Sequence, residues 1–189
     1  MPRVRLGVAL LVEGEQAREI DGLRRALGDP TLGRIEPHIT LVPPINVPEA
    51  AYGAVEEVLA RAGESTAPFS VVLGPPNTFW PASPVAYLPC AQGGDDVVAI
   101  MDKVFKPPVW KARIWPYVPH VTLAEIQDQV RLEAAMAALV DFEARVGFDR
   151  VYLLRQTAPH GRWERDAEIA LVGQPHVIGR GGLERTITS

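Results

Sequence analysis

The feature that most constrains this chain is a pentapeptide that occurs twice. Residues 37–41 read PHITL and residues 119–123 read PHVTL, so two of the four histidines share one setting. The surroundings repeat as well, because the residue pattern of each half predicts the same order of elements: a strand, a helix, a strand carrying the pentapeptide, a helix and a strand. A repeat of this kind indicates two related structural units, and a two-fold relation between them would bring the pentapeptides together.

Apolar periodicity and turn signals predict the individual elements. The first half predicts strands over 4–12, 34–42 and 69–73, and helices over 14–28 and 48–62. The second half predicts strands over 85–89, 118–126, 142–148, 151–156 and 167–172, and helices over 95–105 and 129–140. Pro43 and Pro44 are expected to end the second strand.

Alternating strands and helices also occur in parallel doubly wound sheets. Such folds place a glycine-rich phosphate loop after the first strand, whereas residues 12–15 here read VEGE. We therefore predict an α+β fold of two pseudo-symmetric lobes, each an antiparallel sheet with helices outside, whose pentapeptide strands face a central cleft. This bilobal domain is expected to span residues 1–172, and residues 173–189, which lack an apolar period, are expected to form a tail or linker.

Composition limits the partners of the chain. Its 189 residues are 47% hydrophobic and 22% charged, with a formal net charge of −4. No apolar run approaches the roughly 20 residues of a membrane span, and no cleavage site follows the short apolar stretch 6–12, so we expect a cytoplasmic protein. A net negative chain is poorly suited to long nucleic acid, although a pocket for a short anionic ligand stays open. The single cysteine, Cys90, excludes an internal disulfide and a cysteine-based zinc site, and we expect it to be buried and inert.

The repeated pentapeptide suggests a chemistry. Side chains alternate across a strand, so His38 and Thr40 share one face, as do His120 and Thr122. If the repeat is structural, two imidazoles and two hydroxyls converge on one cleft. A neutral imidazole can take a proton from an attacking water while a protonated one gives a proton to a leaving oxygen. The hydroxyls can donate hydrogen bonds to the non-bridging oxygens of a phosphate diester, and this scheme requires no metal or other cofactor.

Histidines in such strands can have two other roles. A single His-x-Thr sequence is weak evidence, because a histidine at a strand end more often bonds a backbone carbonyl; packing, however, would fix only the apolar positions of two matching copies. A metal site would need a third ligand, and Glu36 is the only carboxylate in phase with either motif. His160 and His176 lie in sequences rich in proline and glycine and are assigned to surface loops.

The paired motifs resemble the two HxT motifs of the two-histidine phosphoesterase superfamily. Residues 4–172 resemble its bacterial branch, known as 2'-5' RNA ligase or RNA 2',3'-cyclic phosphodiesterase. The resemblance implies two α+β lobes around a shared cleft, with His38 and His120 as the acid–base pair and Thr40 and Thr122 binding the phosphate. It also implies that His120 activates water and that His38 protonates the leaving 3'-oxygen, which leaves a 2'-phosphate.

The resemblance also suggests where a nucleotide base would lie. Residues 77–81, NTFWP, are similar to the family segment whose aromatic residue lines the nucleotide end of the cleft. Phe79 is therefore the candidate stacking platform, with core packing as the alternative, and Trp80 is the weaker candidate. A base on an aromatic face contributes ~1–3 kcal/mol.

The chain departs from the family after the second motif. Relatives often continue as HxTLAR, whereas this chain continues with Ala124-Glu125, and a carboxylate there would repel a polyanion. Four positive charges precede the motif: Lys103, Lys106, Lys111 and Arg113. We interpret them by default as a solvated loop, although they could face the ligand. Tyr117 is in phase with neither motif residue, so we expect it to pack.

The sequence thus predicts a metal-independent hydrolase of 2',3'-cyclic or 2'-5' phosphodiesters in short RNA ends or nucleotides, acting as a monomer. An enzyme with the same site that acts on another cyclic phosphate, such as an ADP-ribose cyclic phosphate, is a related alternative. A module that binds a phosphorylated nucleotide or RNA end without turnover is the alternative from another class, although the intact motif residues count against it. Without a nucleotide-activating lysine loop, hydrolysis is expected to dominate over ligation.

Overall fold

The computed structural model describes residues 2–112 and 116–174. Its strands are β1 (Arg3–Leu11), β2 (His38–Pro48), β3 (Phe69–Leu73), β4 (Asn77–Thr78), β5 (Val85–Gln92), β6 (His120–Glu125), β7 (Ala144–Phe148), β8 (Arg150–Gln156) and β9 (Trp163–Ala170). Its helices are α1 (Gly14–Leu27), α2 (Tyr52–Glu64), α3 (Gly94–Val104) and α4 (Gln129–Ala138), with a 3-10 turn at Glu49–Ala51. None of these helices is long and apolar enough to cross a membrane. Arg113, His176 and most of the predicted tail, residues 175–189, lie outside the described residues.

The strands form a curled antiparallel sheet in the order β7-β3-β5-β6-β2-β1-β8-β9, with β4 paired to β5. The motif strands β2 and β6 lie at its centre, where Ile39 pairs with Val121. This junction separates a first lobe, made of β9, β8, β1 and β2, from a second lobe, made of β6, β5, β3 and β7. The predicted α+β class, with two antiparallel units meeting at the motif strands, is confirmed.

The two halves of the chain exchange strands between the lobes. Strand β3 ends the first half of the sequence but pairs with β5 of the second lobe. Strand β8, from the second half, pairs in turn with β1 of the first lobe. Each lobe is therefore completed by a strand from the other half, which ties the two repeats into one sheet.

The apolar residues of both motifs anchor the motif strands in the core. Ile39, Leu41, Val121 and Leu123 are at most 2% exposed and belong to one buried cluster with residues of β1, α2 and α3. Because side chains alternate along a strand, His38 and Thr40 of β2 face the opposite side of the sheet, as do His120 and Thr122 of β6. We call that side the cleft face.

Strand β2 differs from the prediction at both ends. It begins at His38 rather than at residue 34, because residues 28–37 form a loop closed by turns such as Arg34 N–H to the Thr31 carbonyl. It also continues through Pro43 and Pro44, so the expectation that these prolines end it is wrong. The ladder with β1 passes from Val8↔Val42 to Leu6↔Ile45, which leaves both prolines in a bulge opposite Gly7, where no ladder donor is needed.

Candidate active site

The register of the central strands brings the four motif side chains together. Ile39 of β2 lies opposite Val121 of β6 in an antiparallel pair. Extending this register by one residue in each direction places His38 across from Thr122 and Thr40 across from His120. Each histidine therefore neighbours the threonine of the other motif, and the two imidazoles lie on a diagonal of the cleft face.

Both imidazoles are held in the same way. The Nδ1 atom of His38 lies 2.7 Å from the Glu36 carbonyl oxygen, and Nδ1 of His120 lies 2.7 Å from the Val118 carbonyl oxygen. A carbonyl oxygen can only accept a hydrogen bond, so each Nδ1 must carry the proton. Each neutral ring therefore has its lone pair on Nε2, the nitrogen that can exchange a proton with a ligand.

The proline that opens each pentapeptide explains this shared geometry. A proline forces the preceding residue into an extended conformation and has no N–H of its own. The carbonyls of Pro37 and Pro119 accept backbone hydrogen bonds from Val12, at 2.8 Å, and Cys90, at 3.2 Å, which join each motif to its neighbouring strand. The carbonyl before each proline is thus left to accept from the imidazole. The proline directly before each histidine is the sequence signal for this arrangement.

Both histidines have pKa values below the ordinary value. Desolvation in the cleft is the main cause of the lowered pKa for each ring, and the hydrogen bond to the Glu36 or Val118 carbonyl partly opposes it. The charge of Arg24 and the proximity of His120 lower the pKa of His38 further, while Asp29 raises it. Both rings are therefore neutral in the free protein at pH 7.

A buried ion pair fixes the loop that leads into the first motif. Arg24 is 3% exposed, and its Nε donates to Asp29 Oδ2 at 2.7 Å. Its Nη1 donates to Asp21 Oδ1 at 2.7 Å and to the Ile35 carbonyl at 3.1 Å. This guanidinium ties α1 to the loop directly before His38, so it positions the start of β2.

A second charged network lies beside His38. Arg165 of β9 donates to both carboxylate oxygens of Glu36, at 2.8 and 3.0 Å, and contacts Glu13 at 3.0 Å. Its guanidinium lies 4.7 Å from the centre of the Tyr152 ring, and the Tyr152 hydroxyl donates to Glu13 at 2.9 Å. Glu36, the carboxylate considered as a third metal ligand, is therefore engaged by an arginine.

Aromatic rings, rather than charges, surround His120. Phe79 stacks on Tyr87 with ring centres 4.1 Å apart. Both rings make an edge contact with the His120 imidazole, with ring centres 5.1 Å apart for Phe79 and 5.2 Å apart for Tyr87. Phe79 is half-buried, so it packs on Tyr87 and also lines the cleft. Tyr87, which the sequence analysis missed, lies opposite Thr122 in the β5–β6 ladder. Trp80 is 41% exposed and does not line this cleft.

A cavity of about 540 Å³ opens beside these rings between the two lobes. Tyr117 spans it, donating its hydroxyl hydrogen to the Thr40 carbonyl oxygen at 2.8 Å. Tyr117 packs against the core as expected, but its polar contact across the cleft was not anticipated. The cavity lining is largely apolar: Leu41, Pro43, Phe79, Ala82, Phe105, Pro116, Tyr117 and Val118, with Thr40, Ser83 and His120 as its polar members.

Two further candidates, Lys103 and Glu125, have hydrogen-bond partners in the fold. Lys103 donates to the Ser65 carbonyl and to Thr66 Oγ1, at 2.6 and 2.8 Å, so it ties α3 to the end of α2. Glu125 accepts from Gln127 at 2.7 Å on the exposed end of β6. Cys90 is half-buried rather than fully buried. Desolvation raises the pKa of its thiol to about 12, which keeps the thiol protonated at neutral pH.

Comparison with known proteins agrees with this fold. The profile of the 2'-5' RNA ligase superfamily matches residues 12–159. A Bacillus cytotoxicus protein named as a phosphoesterase is 25% identical over 155 residues, covering 81% of this chain and 89% of the relative. A Bacillus pumilus protein with the same kind of name is 24% identical, covering 82% and 90%. The structure of E. coli LigT complexed with 3'-AMP superposes with a TM-score of 0.67 at 19% identity, covering 90% of this chain and 99% of that one.

The fold and the paired motifs define a two-histidine phosphoesterase. The chain belongs to the 2'-5' RNA ligase superfamily. LigT, which shares the fold, has also been crystallised with ATP and with NADP+.

Proposed function

We propose that the protein hydrolyses 2',3'-cyclic or 2'-5' phosphodiesters of short RNA ends or nucleotides by paired-histidine general acid–base catalysis. The observation that carries this proposal is the matched tautomer of the two rings. His38 and His120 each commit Nδ1 to a backbone carbonyl at 2.7 Å and leave Nε2 for the ligand. One nitrogen on either side of a phosphate is the arrangement that acid–base cleavage of a diester requires.

The reaction balances with the groups of the chain and one water. Neutral His120 takes a proton from the water on Nε2 while the water oxygen forms a bond to phosphorus. The bond from phosphorus to the ribose 3'-oxygen breaks, and protonated His38 gives its Nε2 proton to that oxygen. The products are a 2'-phosphate monoester and a free 3'-hydroxyl, and proton exchange with solvent returns both rings to their starting states.

The charge of the substrate favours the protonated form of His38. Desolvation lowers the pKa of both rings in the free protein, so His38 begins neutral. A phosphate anion close to an imidazole favours the charged form and raises its pKa, because opposite charges attract most strongly away from water. Thr40 and Thr122 then hold the non-bridging oxygens, where charge develops in the transition state.

The apolar side of the cleft suits a nucleoside. Its volume of about 540 Å³ lies within the range of small-molecule sites. Phe79, stacked on Tyr87 beside His120, offers an aromatic face for the base. LigT, crystallised with 3'-AMP, ATP and NADP+, supports a ligand of nucleotide size.

We also infer the size of the substrate and the place in the cell where the protein acts. The net charge of −4 and Glu125 beside the second motif favour a small nucleotide or short RNA end over long RNA. We propose a cytoplasmic monomer that uses no cofactor. Its catalytic unit would span residues 1–172, with residues 173–189 as a tail or linker.

The test is turnover of a nucleoside 2',3'-cyclic phosphate, with a chelator present, by the intact protein, His38→Ala and His120→Ala. His176→Ala, which changes a histidine of the predicted tail, is the matched control. We expect hydrolysis by the intact protein and the control, and a loss of ~10²–10⁴-fold in each motif variant. Saturable binding without turnover by the intact protein would instead make it a binding module for phosphorylated nucleotides.

A further inference from the structure

A second cavity, of about 750 Å³, lies on the first lobe at the far end of β1 and β2 from the motif histidines. We call it the arginine groove, because Arg3, Arg5 and Arg34 line it together with Gln156, His160 and Trp163. Neither the reaction scheme nor the nucleoside site uses it.

The arginine groove opens on the cleft face, the side of the sheet that carries His38 and Thr40. In the β1–β2 ladder, Leu11 pairs with His38 and Ala9 with Thr40. Arg5 shares its face with these residues, because side chains separated by two along a strand point the same way. Arg5 also pairs with Gln156 of β8, so the groove continues across the neighbouring strand.

Trp163 covers the strand between the motif and the groove. The indole edge lies 3.5 Å from where a Cβ would stand on Gly7, which is ordinary van der Waals contact, so the ring lies directly over this glycine. Gly7 lies between Ala9 and Arg5 on the cleft face. Trp163 is half-buried, which leaves part of the ring open for a base to stack on.

The groove carries positive charge that the protein does not neutralise. No aspartate or glutamate of the described residues lines it. The Arg5 side chain makes no hydrogen bond or ion pair with any described residue. The Arg34 side chain likewise makes no hydrogen bond or ion pair with any described residue.

Other arginines of the first lobe, in contrast, are paired with carboxylates. Arg165 is paired with Glu36, and Arg150 with Asp149 and Glu168. Arg155, which also borders the groove, donates from Nη2 to Asp166 Oδ2 at 3.1 Å. Arg5 and Arg34 have no carboxylate partner in the part of the chain that the structure describes. Guanidinium groups match the oxygens of a phosphate with two parallel hydrogen bonds, so a phosphate is the type of ligand that these side chains suit.

We propose that the arginine groove binds the phosphates of nucleotides on the 5' side of the reacting diester, so that the enzyme selects a short RNA end over a mononucleotide. This inference rests on the proposed function, since it names the substrate class of the same site. Arg5 lies four residues from Ala9 along β1, about 13 Å at 3.3 Å per residue. A stacked strand rises 3.4 Å per nucleotide, so about four stacked nucleotides, or fewer extended ones, span the distance.

The experiment compares kcat/KM for a nucleoside 2',3'-cyclic phosphate with that for di-, tetra- and hexanucleotides that end in the same cyclic phosphate. We expect the tetranucleotide to exceed the mononucleotide by about tenfold or more, the gain to level off near four nucleotides, and added salt to reduce it. In Arg5→Ala and Arg34→Ala the ratio of tetranucleotide to mononucleotide should fall towards one, and Arg5→Lys should restore part of it. Arg61→Ala, on the exposed face of α2, is the control and should keep the ratio.

The ratio separates this inference from a folding defect, which would lower turnover of both substrates. Equal kcat/KM for all lengths, or an unchanged ratio in the two alanine variants, would overturn it. If the intact protein turns over none of the substrates, the proposed function fails, and binding of inert oligonucleotides with a terminal 2'-phosphate tests the groove alone. Tighter binding of the tetranucleotide, lost in Arg5→Ala, would support the groove; equal binding of all lengths would reject it.

Discussion

The first and second motif strands share the features that the pentapeptide determines. In each, the imidazole bonds the carbonyl two residues before it at 2.7 Å, and the proline carbonyl accepts from a neighbouring strand. In each, the two apolar residues are buried in the same core. These features repeat because five residues suffice to specify them.

The surroundings of the two histidines differ. His38 lies among charged pairs, with Arg24–Asp29 beneath the loop and Glu36–Arg165 beside it. His120 lies against the rings of Phe79 and Tyr87, next to the apolar cavity. The pentapeptide therefore supplies matched proton-transfer groups. Residues far away in sequence make one side of the cleft polar and the other suited to a nucleoside.

The largest expected effect tests whether the two histidines have different roles. On a nucleoside phosphodiester with a p-nitrophenolate leaving group, which needs no proton to depart, His38→Ala should regain most of its ~10²–10⁴-fold loss. His120→Ala should stay impaired, because the water still needs a base. Release of nitrophenolate measures both variants. Recovery in His120→Ala alone would reverse the two assignments.

The next effect concerns the aromatic side of the cleft. Phe79→Ala removes the stacking surface, and we expect KM for a nucleoside 2',3'-cyclic phosphate to rise by an amount that corresponds to ~1–3 kcal/mol, with a smaller change in kcat. Phe69→Ala, which removes a ring packed on Phe148 outside the cleft, is the control for general loss of packing. Equal changes in the two variants would return Phe79 to a purely structural role.

A smaller effect is expected on the polar side. Arg165→Gln removes the ion pair with Glu36, whose carbonyl orients His38. Because the carbonyl stays in place covalently, we expect kcat to fall by only about tenfold, with KM little changed. Arg150→Gln, which breaks ion pairs on the same β8–β9 hairpin, is the matched control. The polar network would have no part in positioning if both variants retained full kcat.

The smallest effect is a displacement of pH profiles. Desolvation lowers the pKa of each histidine below 6.5 in the free protein. Because the base must be neutral and the acid protonated, kcat/KM should be greatest below pH 6.5. Bound phosphate raises the pKa of the acid, so the alkaline limb of kcat should lie at higher pH than that of kcat/KM. Steady-state kinetics from pH 4.5 to about 9 measure both limbs. Superimposable profiles would contradict the role given to the phosphate.

The parts that the sequence predicted are those encoded in local patterns. Buried strands such as β3 and the helices were predicted within a few residues, and the motif side chains share one face because alternation is a property of every strand. The bulge at Pro43 depends on Gly7 of another strand, so it was mispredicted from local signals alone. Tyr87, Tyr117 and Arg165 join the site only through strand pairing and the exchange of strands between lobes, which the order of elements does not specify.

The most direct test of the central claim is the position of the phosphate after hydrolysis in ¹⁸O-labelled water with a chelator present. Phosphorus NMR of the product of a nucleoside 2',3'-cyclic phosphate distinguishes the two monoesters and shows the label. Paired-histidine attack by water predicts a 2'-phosphate with one ¹⁸O, formed by the intact protein and not by His120→Ala. A 3'-phosphate, or a cyclic phosphate that the intact protein leaves unchanged, would contradict it.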